Sequence, residues 1–420
     1  MSSSIPGCLL ETSVTWQDVE SELQKSLGTT AKFGEKRKVT NFGHMKGFMS
    51  RIALIEPNWT PNDKEQELPE KFIVKISSAL GVKDLFDVID FLKDDSKSDS
   101  ESDAEANGIE EMIKLYHNRE VETYKIISRE KNPMLRTTKI YASKPFTLGN
   151  PSGGFLVCEF IPNVHSIPIF GTIPYHELEA VIESVGAFSA LSETMKEEEK
   201  KAMAGEGHLE EVIRTFFPDN SFPKIRNLLL EALGEGFKEK IEGVMKIVDL
   251  VASPGGMLKN YSKMSEFLGC SPVLLHTDLW SANMLFTKDN AQLTFKALID
   301  FQDTSFGSPG LDMASLAVCC MSAEDRRTHR LSLLQLYFHS FNANLKECEI
   351  PYTLQQLYDS YDLVLVPLTL QILPVMWCLA KNAGSEEALS QAKEKMTGLI
   401  EDLLEVHEKN LERFPTFFEA

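Results

Sequence analysis

The chain has 420 residues, enough for two domains, and its 43% hydrophobic and 25% charged residues are the balance of an ordinary globular protein. A formal net charge of −19 argues against nucleic acid or an anionic membrane as the main partner. Seven scattered cysteines without CxxC spacing point to reduced thiols, and the first residues, MSSSIPGCLLETSVTW, have neither a basic nor a long apolar region, so a cytoplasmic protein without a secretory signal is expected.

In chain order, Trp16 to Leu27 has helical periodicity, with Thr15 placed to cap it. A turn, NFGHMKGFMS, carries Gly43 and Gly47. The runs Met49 to Glu56 and Lys71 to Ser77 read as strands joined by a polar loop, Pro57 to Pro69. In the second strand Phe72, Val74 and Ile76 share one face, and Lys75 falls on the other with Ile73. A lysine there fits an edge or snorkelling position as well as a buried pair. The segment Lys93 to Asn107 is acidic, Ser-rich and free of aromatics, the composition of a disordered surface loop. The following helix lines Ile109, Ile113, Tyr116, Glu120, Tyr124 and Ile127 along one face, so Glu120 is a carboxylate on an apolar stripe and needs a partner. Lys75 is the candidate.

Lys139 to Phe146 and Gly154 to Ile161 read as two further strands. From Pro174 the chain turns helical, with Tyr175 to Met195, Glu210 to Phe217 and Ile225 to Val251 as helices. Short strands interrupt this between Pro272 and Asp300, and helix resumes after Gly310 as far as Phe414. The apolar run Leu363 to Ala380 contains Pro367, Gln371 and Pro374 and is barely long enough to span, so a buried core helix is expected and no membrane insertion. The expected organisation is α+β and bilobal. Residues 1–161 form a small antiparallel β-rich lobe, and residues 162–420 a larger helical lobe with a catalytic hairpin in 272–318.

That hairpin region, PVLLHTDLWSANMLFTKDNAQLTFKALIDFQDTSFGSPGLDMASLA, concentrates His276, Asp278, Asn283 and Asp300. A hairpin centred near Ala291 would make Asn283 and Asp300 cross-strand neighbours, with Cβ atoms about 5 Å apart. Phosphoryl transfer needs metal holders, a group to fix phosphates and a carboxylate to orient the acceptor hydroxyl. In H-x-D-x-x-x-x-N the base would be Asp278 and a metal ligand Asn283; Asp300 would be the second ligand, and oxygen donors suit Mg²⁺. Lys75 with Glu120 would hold phosphate, and backbone N–H groups of the Gly43 to Ser50 turn would lie over it. Each piece alone has an ordinary structural explanation: a chance pattern, a loop-holding His276, a turn aspartate. Their order along the chain is what points to kinase chemistry.

HTDLWSANMLF followed by ALIDFQDTSFGSPGLDMASLA resembles the choline-kinase-like and aminoglycoside-phosphotransferase superfamily. Trp280, the turn Lys46-Gly47-Phe48-Met49-Ser50 and the Arg119-Glu120 pair are most similar to its ecdysteroid-kinase-like branch. The resemblance runs from about Phe33 to Phe414. It implies a protein-kinase-like fold that uses ATP and Mg²⁺ to phosphorylate a hydroxyl, here of an apolar or steroid-like small molecule. It further implies that Lys46, Gly47, Phe48 and Ser50 cover the nucleotide, that Glu159, Phe160 and Ile161 meet adenine, and that Asp312 buttresses the catalytic loop. Thr277 departs from the glycine common in relatives, and Phe-Gln-Asp follows Asp300 where protein kinases have Phe-Gly. The rival readings are a nucleotide-binding pseudokinase or adaptor, and a choline- or ethanolamine-type kinase, which would require an aromatic cage drawn from Trp59, Trp280 and Trp377. Oligomeric state is not legible.

Overall fold

The computed structural model describes residues 7–42, 49–60, 67–81, 99–150, 153–216, 221–252, 256–290, 292–346 and 349–419. They divide into two compact units, and the chain passes from the first to the second at Val164/His165, with residues 130–136 also counted in the second. The architecture is α+β, a β-sheet N-terminal region and a helical C-terminal region.

In the first unit, helix Trp16–Leu27 starts at a capping box in which Thr15 and Asp18 satisfy each other's backbone N–H, and ends at Gly28 with φ 64°. A five-stranded antiparallel sheet runs in the order Lys38–Asn41, Ser50–Glu56, Phe72–Ser77, Phe155–Glu159, Ile140–Lys144. Phe72–Ser77 is its central strand, so Lys75 is not at an edge. Alternation divides the two faces. Phe72, Val74 and Ile76 bury into a core with Val19 and Leu23 of the first helix and with Phe33, Ile55, Phe155 and Val157. Lys75 and Ser77, on the other face, meet helix Asp99–Glu130. Several short strands were not legible in the sequence, among them the edge strand Lys38–Asn41 and Trp59–Thr60, which lies inside the expected loop and pairs with Lys32–Phe33.

The helix Asp99–Glu130 begins inside the segment read as a disordered loop. Ala104, Glu105 and Ala106 are good helix formers, and continuity with the amphipathic stretch extends the helix through them. Residues 93–98 lie outside the described residues.

The second unit is mainly helical. Helix Tyr175–Ser189 packs on Ala323–Ala343, and Gly186 permits the approach: a Cβ there would sit 2.7 Å from Ser340 Cβ. The expected long helix from Ile225 is two, Phe222–Leu233 and Lys238–Ala252, because Gly234 takes φ 80°, outside helical space. Helix Leu354–Ala383 is, among the described residues, the one helix long and apolar enough to cross a membrane, and 78% of its most apolar window is buried within the fold. It serves as the core helix expected, packing against Leu311–Cys320 and Glu386–Arg413. Among the described residues, Cys8, Cys270, Cys319 and Cys320 are free thiols.

Candidate active site

The first unit supplies a buried ion pair. Lys75 Nζ lies 2.8 Å from Glu120 Oε2, with side chains 11% and 2% exposed. The helix face anticipated for Glu120 is buried, with Ile113, Tyr124 and Ile127 also inside. Beside this pair His117, which sequence reasoning passed over, bridges sheet to helix. Its Nδ1 is 2.8 Å from Ser77 Oγ and its Nε2 is 2.9 Å from the Lys144 carbonyl. Burial, together with the positive charge of Lys75, pushes the His117 imidazole down to about 4, although the Lys144 carbonyl opposes the shift. The ring is therefore neutral at pH 7. Arg119 places its guanidinium 5.1 Å from the Tyr116 ring centroid, on the same helix.

Of the expected nucleotide contacts, Lys46, Gly47 and Phe48 lie outside the described residues. Ser50 is buried and pairs with Ser77, two residues along from the Ile52–Lys75 pair. Glu159 is exposed at the end of its strand, and Phe160 packs edge-on against Phe42 at 5.9 Å; Ile161 follows, half-buried.

The second unit supplies the carboxylates. Strand Val273–Leu275 is buried and antiparallel to Ser305–Gly307. The chain leaves it through His276 and Thr277, whose backbone N–H groups donate to Asp312 Oδ2 and Oδ1 at 2.8 and 2.9 Å. Asp312 is fully buried at the start of helix Leu311–Cys320. Burial pushes its carboxyl up, and the two N–H donors oppose that shift. His276 ties the loop to the next strand through Nε2 and the Ile299 carbonyl, 3.0 Å apart. Thr277 takes φ 70°, in the left-handed region that disfavours a β-branched residue, which accounts for a preference for glycine at this place. Its Oγ1 lies 2.8 Å from Ser305 Oγ.

Asp278 comes next, half-buried. Asn283 donates Nδ2 to Asp278 Oδ2 at 2.7 Å and to the Asp278 carbonyl at 2.9 Å. That fixes the amide's orientation and leaves Oδ1 as its remaining acceptor. Burial pushes the Asp278 carboxyl up to about 7, reinforced by the charges of Asp303 and Asp300 and opposed by hydrogen bonds from Asn283 and Trp280.

The hairpin differs from expectation in register. Strands Met284–Asp289 and Gln292–Leu298 pair Met284 with Leu298, but a bulge at Leu285/Phe286 leaves Lys296 unmatched. Asn283 therefore faces Ile299, whose N–H donates to its carbonyl at 3.0 Å. Asp300 lies one residue further on, at φ 66°, and is not Asn283's cross-strand partner.

Asp303, which the sequence showed only as part of Phe-Gln-Asp, stands three residues beyond Asp300. Its Oδ1 is 2.6 Å from Nε2 of His208, a side chain only 3% exposed. No local pattern marks His208, because the contact joins residues 95 apart in sequence. Among the described residues no group of three or more His, Cys, Asp or Glu gathers to hold a metal. A hard cation held by Asn283 Oδ1, Asp300 and phosphate oxygens would not need one. The all-oxygen donor set fits Mg²⁺.

A small antiparallel sheet with a lysine–glutamate pair and a helical unit with a clamped Asp–Asn loop define the protein-kinase-like class of fold. The chain superposes on choline kinase from Cryptosporidium parvum with a TM-score of 0.51, over 96% of this chain and 99% of that one, at 12% identity. An ethanolamine kinase from Plasmodium vivax is also similar, with a TM-score of 0.42 at 12% identity, covering 87% of this chain and 82% of that one. Residues 6–411 match the DUF1679 family, described as "Uncharacterized oxidoreductase dhs-27", and the chain belongs to that family. The curated "Uncharacterized kinase-like protein D1044.1" of Caenorhabditis elegans is 31% identical over 104 residues. That match spans 25% of this chain and about a quarter, 27%, of the relative's length. At 12% identity the likeness to choline kinase is one of fold, and that fold is the bilobal kinase-like one expected from the sequence.

Proposed function

We propose that this protein is a cytoplasmic, ATP- and Mg²⁺-dependent kinase that phosphorylates a hydroxyl of a small apolar or steroid-like molecule. The observation that carries the reading is Asp278, oriented by Asn283 on a loop that Asp312 clamps by two backbone N–H groups. A carboxylate so held, with a carboxyl raised to about 7, suits accepting a proton near neutrality. The acceptor oxygen attacks the γ-phosphorus of ATP, its proton passes to Asp278, and ADP departs with the bridging oxygen. Asn283 and Asp300 would hold Mg²⁺, which when bound supplies positive charge to the phosphates. Lys75, fixed by Glu120, would hold phosphate oxygens, and Glu159 to Ile161 would meet adenine through their backbone.

The word oxidoreductase in the family description draws no support from the fold. The five-stranded sheet is antiparallel, whereas dinucleotide folds are built on parallel strands, and the sequence holds no G-x-G-x-x-G. Two of the three tryptophans considered for a quaternary-ammonium cage are engaged elsewhere. Trp59 packs on Phe33 and donates its indole N–H to the Pro69 carbonyl, and Trp377 is buried in its helix beneath Lys393.

The test is a screen of extracted metabolites for Mg-ATP-dependent mass gain, with wild type and Asp278→Ala in parallel. Transfer by wild type, reduced about 10²–10⁴-fold in the variant with ATP binding kept, is expected. Equal turnover removes Asp278 as base. ATP binding without transfer to any metabolite would favour a pseudokinase or adaptor.

A further inference from the structure

Resting on the kinase reading, we propose that Asp303, positioned by His208, is a second acceptor-binding carboxylate, and that the acceptor carries a second hydrogen-bond donor adjacent to the hydroxyl that Asp278 engages. The backbone places the two carboxylates together. Strands Val273–Leu275 and Ser305–Gly307 run antiparallel with Leu275 opposite Ser305. Beyond that pair the chains stay joined, because Thr277 Oγ1 meets Ser305 Oγ at 2.8 Å. Asp278 follows one residue after Thr277, and Asp303 stands two residues before Ser305, so both leave the same end of one two-stranded ribbon.

Asp303 is held for a purpose other than filling the core. The segment before His208 is stitched to the chain beside Asp303. The Phe306 N–H donates to the Ala204 carbonyl at 2.7 Å, the Ala204 N–H donates to the Thr304 carbonyl at 3.4 Å, and Ala204 bridges Ser305 in parallel. His208 then opens helix His208–Phe216 with its imidazole buried and bonded to Asp303 Oδ1. Asp303 Oδ2 accepts no hydrogen bond from the described residues, and the side chain is 16% exposed. One oxygen is thus anchored, and the other is left for a ligand donor at the ribbon end that also carries Asp278.

Two like charges side by side repel, and an unpaired carboxylate oxygen in a closing site is costly. An acceptor with a lone hydroxyl would answer Asp278 and leave Asp303 unpaired. A vicinal diol or a 1,2-amino alcohol would answer both, the first by O–H donation and the second by N⁺–H donation. A site built for a donor rejects the analogue lacking it far more strongly than an apolar pocket rejects a missing methylene.

The experiment uses the full chain with Mg-ATP and matched probes on cyclohexane and steroid frameworks: the monoalcohol, the vicinal diol and the 1,2-amino alcohol. Wild type is expected to prefer one or both two-donor members over the monoalcohol by at least about 10-fold in kcat/KM. The two arms distinguish hydroxyl from ammonium recognition. Asp303→Asn should bring the ratio of kcat/KM between the two-donor and monoalcohol probes down to about one, whatever it does to the absolute rate on the monoalcohol, with the KM for ATP kept. His208→Gln, which retains a donor, should keep more of it than His208→Ala. Thermal melting and Mg-ATP binding verify that each variant is folded. Equal use of mono- and two-donor probes, or an Asp303→Asn defect that falls alike on both or on ATP, overturns the inference while the kinase reading stands. No transfer to any probe or metabolite despite Mg-ATP binding overturns the kinase reading and this inference with it.

Discussion

Lys75 and Glu120, 45 residues apart in sequence, meet at 2.8 Å on the face of the sheet opposite the apolar core, both almost wholly removed from water. Charges so placed are stable only together. Lys75→Met should remove the cation paired with a buried carboxylate and cost about 3–5 kcal/mol. The double variant Lys75→Met/Glu120→Leu should lose much less than the sum of the single changes, since it removes both charges. Urea midpoints across the double-mutant cycle measure this, and strict additivity would show that the pair is not coupled.

His117 makes a pH signature. Its folded-state value, about 4, lies below the ordinary 6.5, so the unfolded chain binds a proton there between those values and the folded chain does not. Stability is complete above about pH 6.5 and falls as the pH drops toward 4. The shift corresponds to about 3 kcal/mol at most. His117→Gln should flatten this slope, whatever it does to stability at pH 8. Parallel slopes for the two proteins would assign the acid sensitivity elsewhere.

Thr277 holds a positive φ while its hydroxyl bonds Ser305. Thr277→Ala removes the hydrogen bond and retains the strained backbone, so a loss of about 1 kcal/mol is expected. Thr277→Gly removes both, and should be more stable than the alanine variant by about 1 kcal/mol. The order of the two denaturation midpoints is the readout, and alanine above glycine would contradict the strain.

Asp300→Asn keeps the shape of the turn and removes a negative donor. On the proposed role, the Mg²⁺ concentration for half-maximal turnover should rise at least about 10-fold, with the urea midpoint changed little. An unchanged magnesium dependence would take Asp300 out of the metal-holding role.

The sequence by itself determined what depends on short stretches. The alternation of Phe72, Val74 and Ile76 marks a strand, and helical spacing puts Glu120 on the buried stripe, so periodicity makes Lys75 its candidate partner; that the lysine is not at an edge is decided by the sheet order. The order of Lys75, Glu120, Asp278, Asn283 and Asp300 likewise marked the family before any coordinates. Tertiary structure alone decided what depends on register and on distant neighbours. The strands pair from Asp289 and Gln292, a register that would set Leu298 opposite Asn283, and the bulged Lys296 shifts the partner only to Ile299, one short of Asp300, because strand pairing is set residue by residue and a slip moves everything beyond it. The positive φ of Thr277 and the pairing of His208 with Asp303 across 95 residues leave no periodic trace, since a contact between distant segments is fixed by packing and not by spacing.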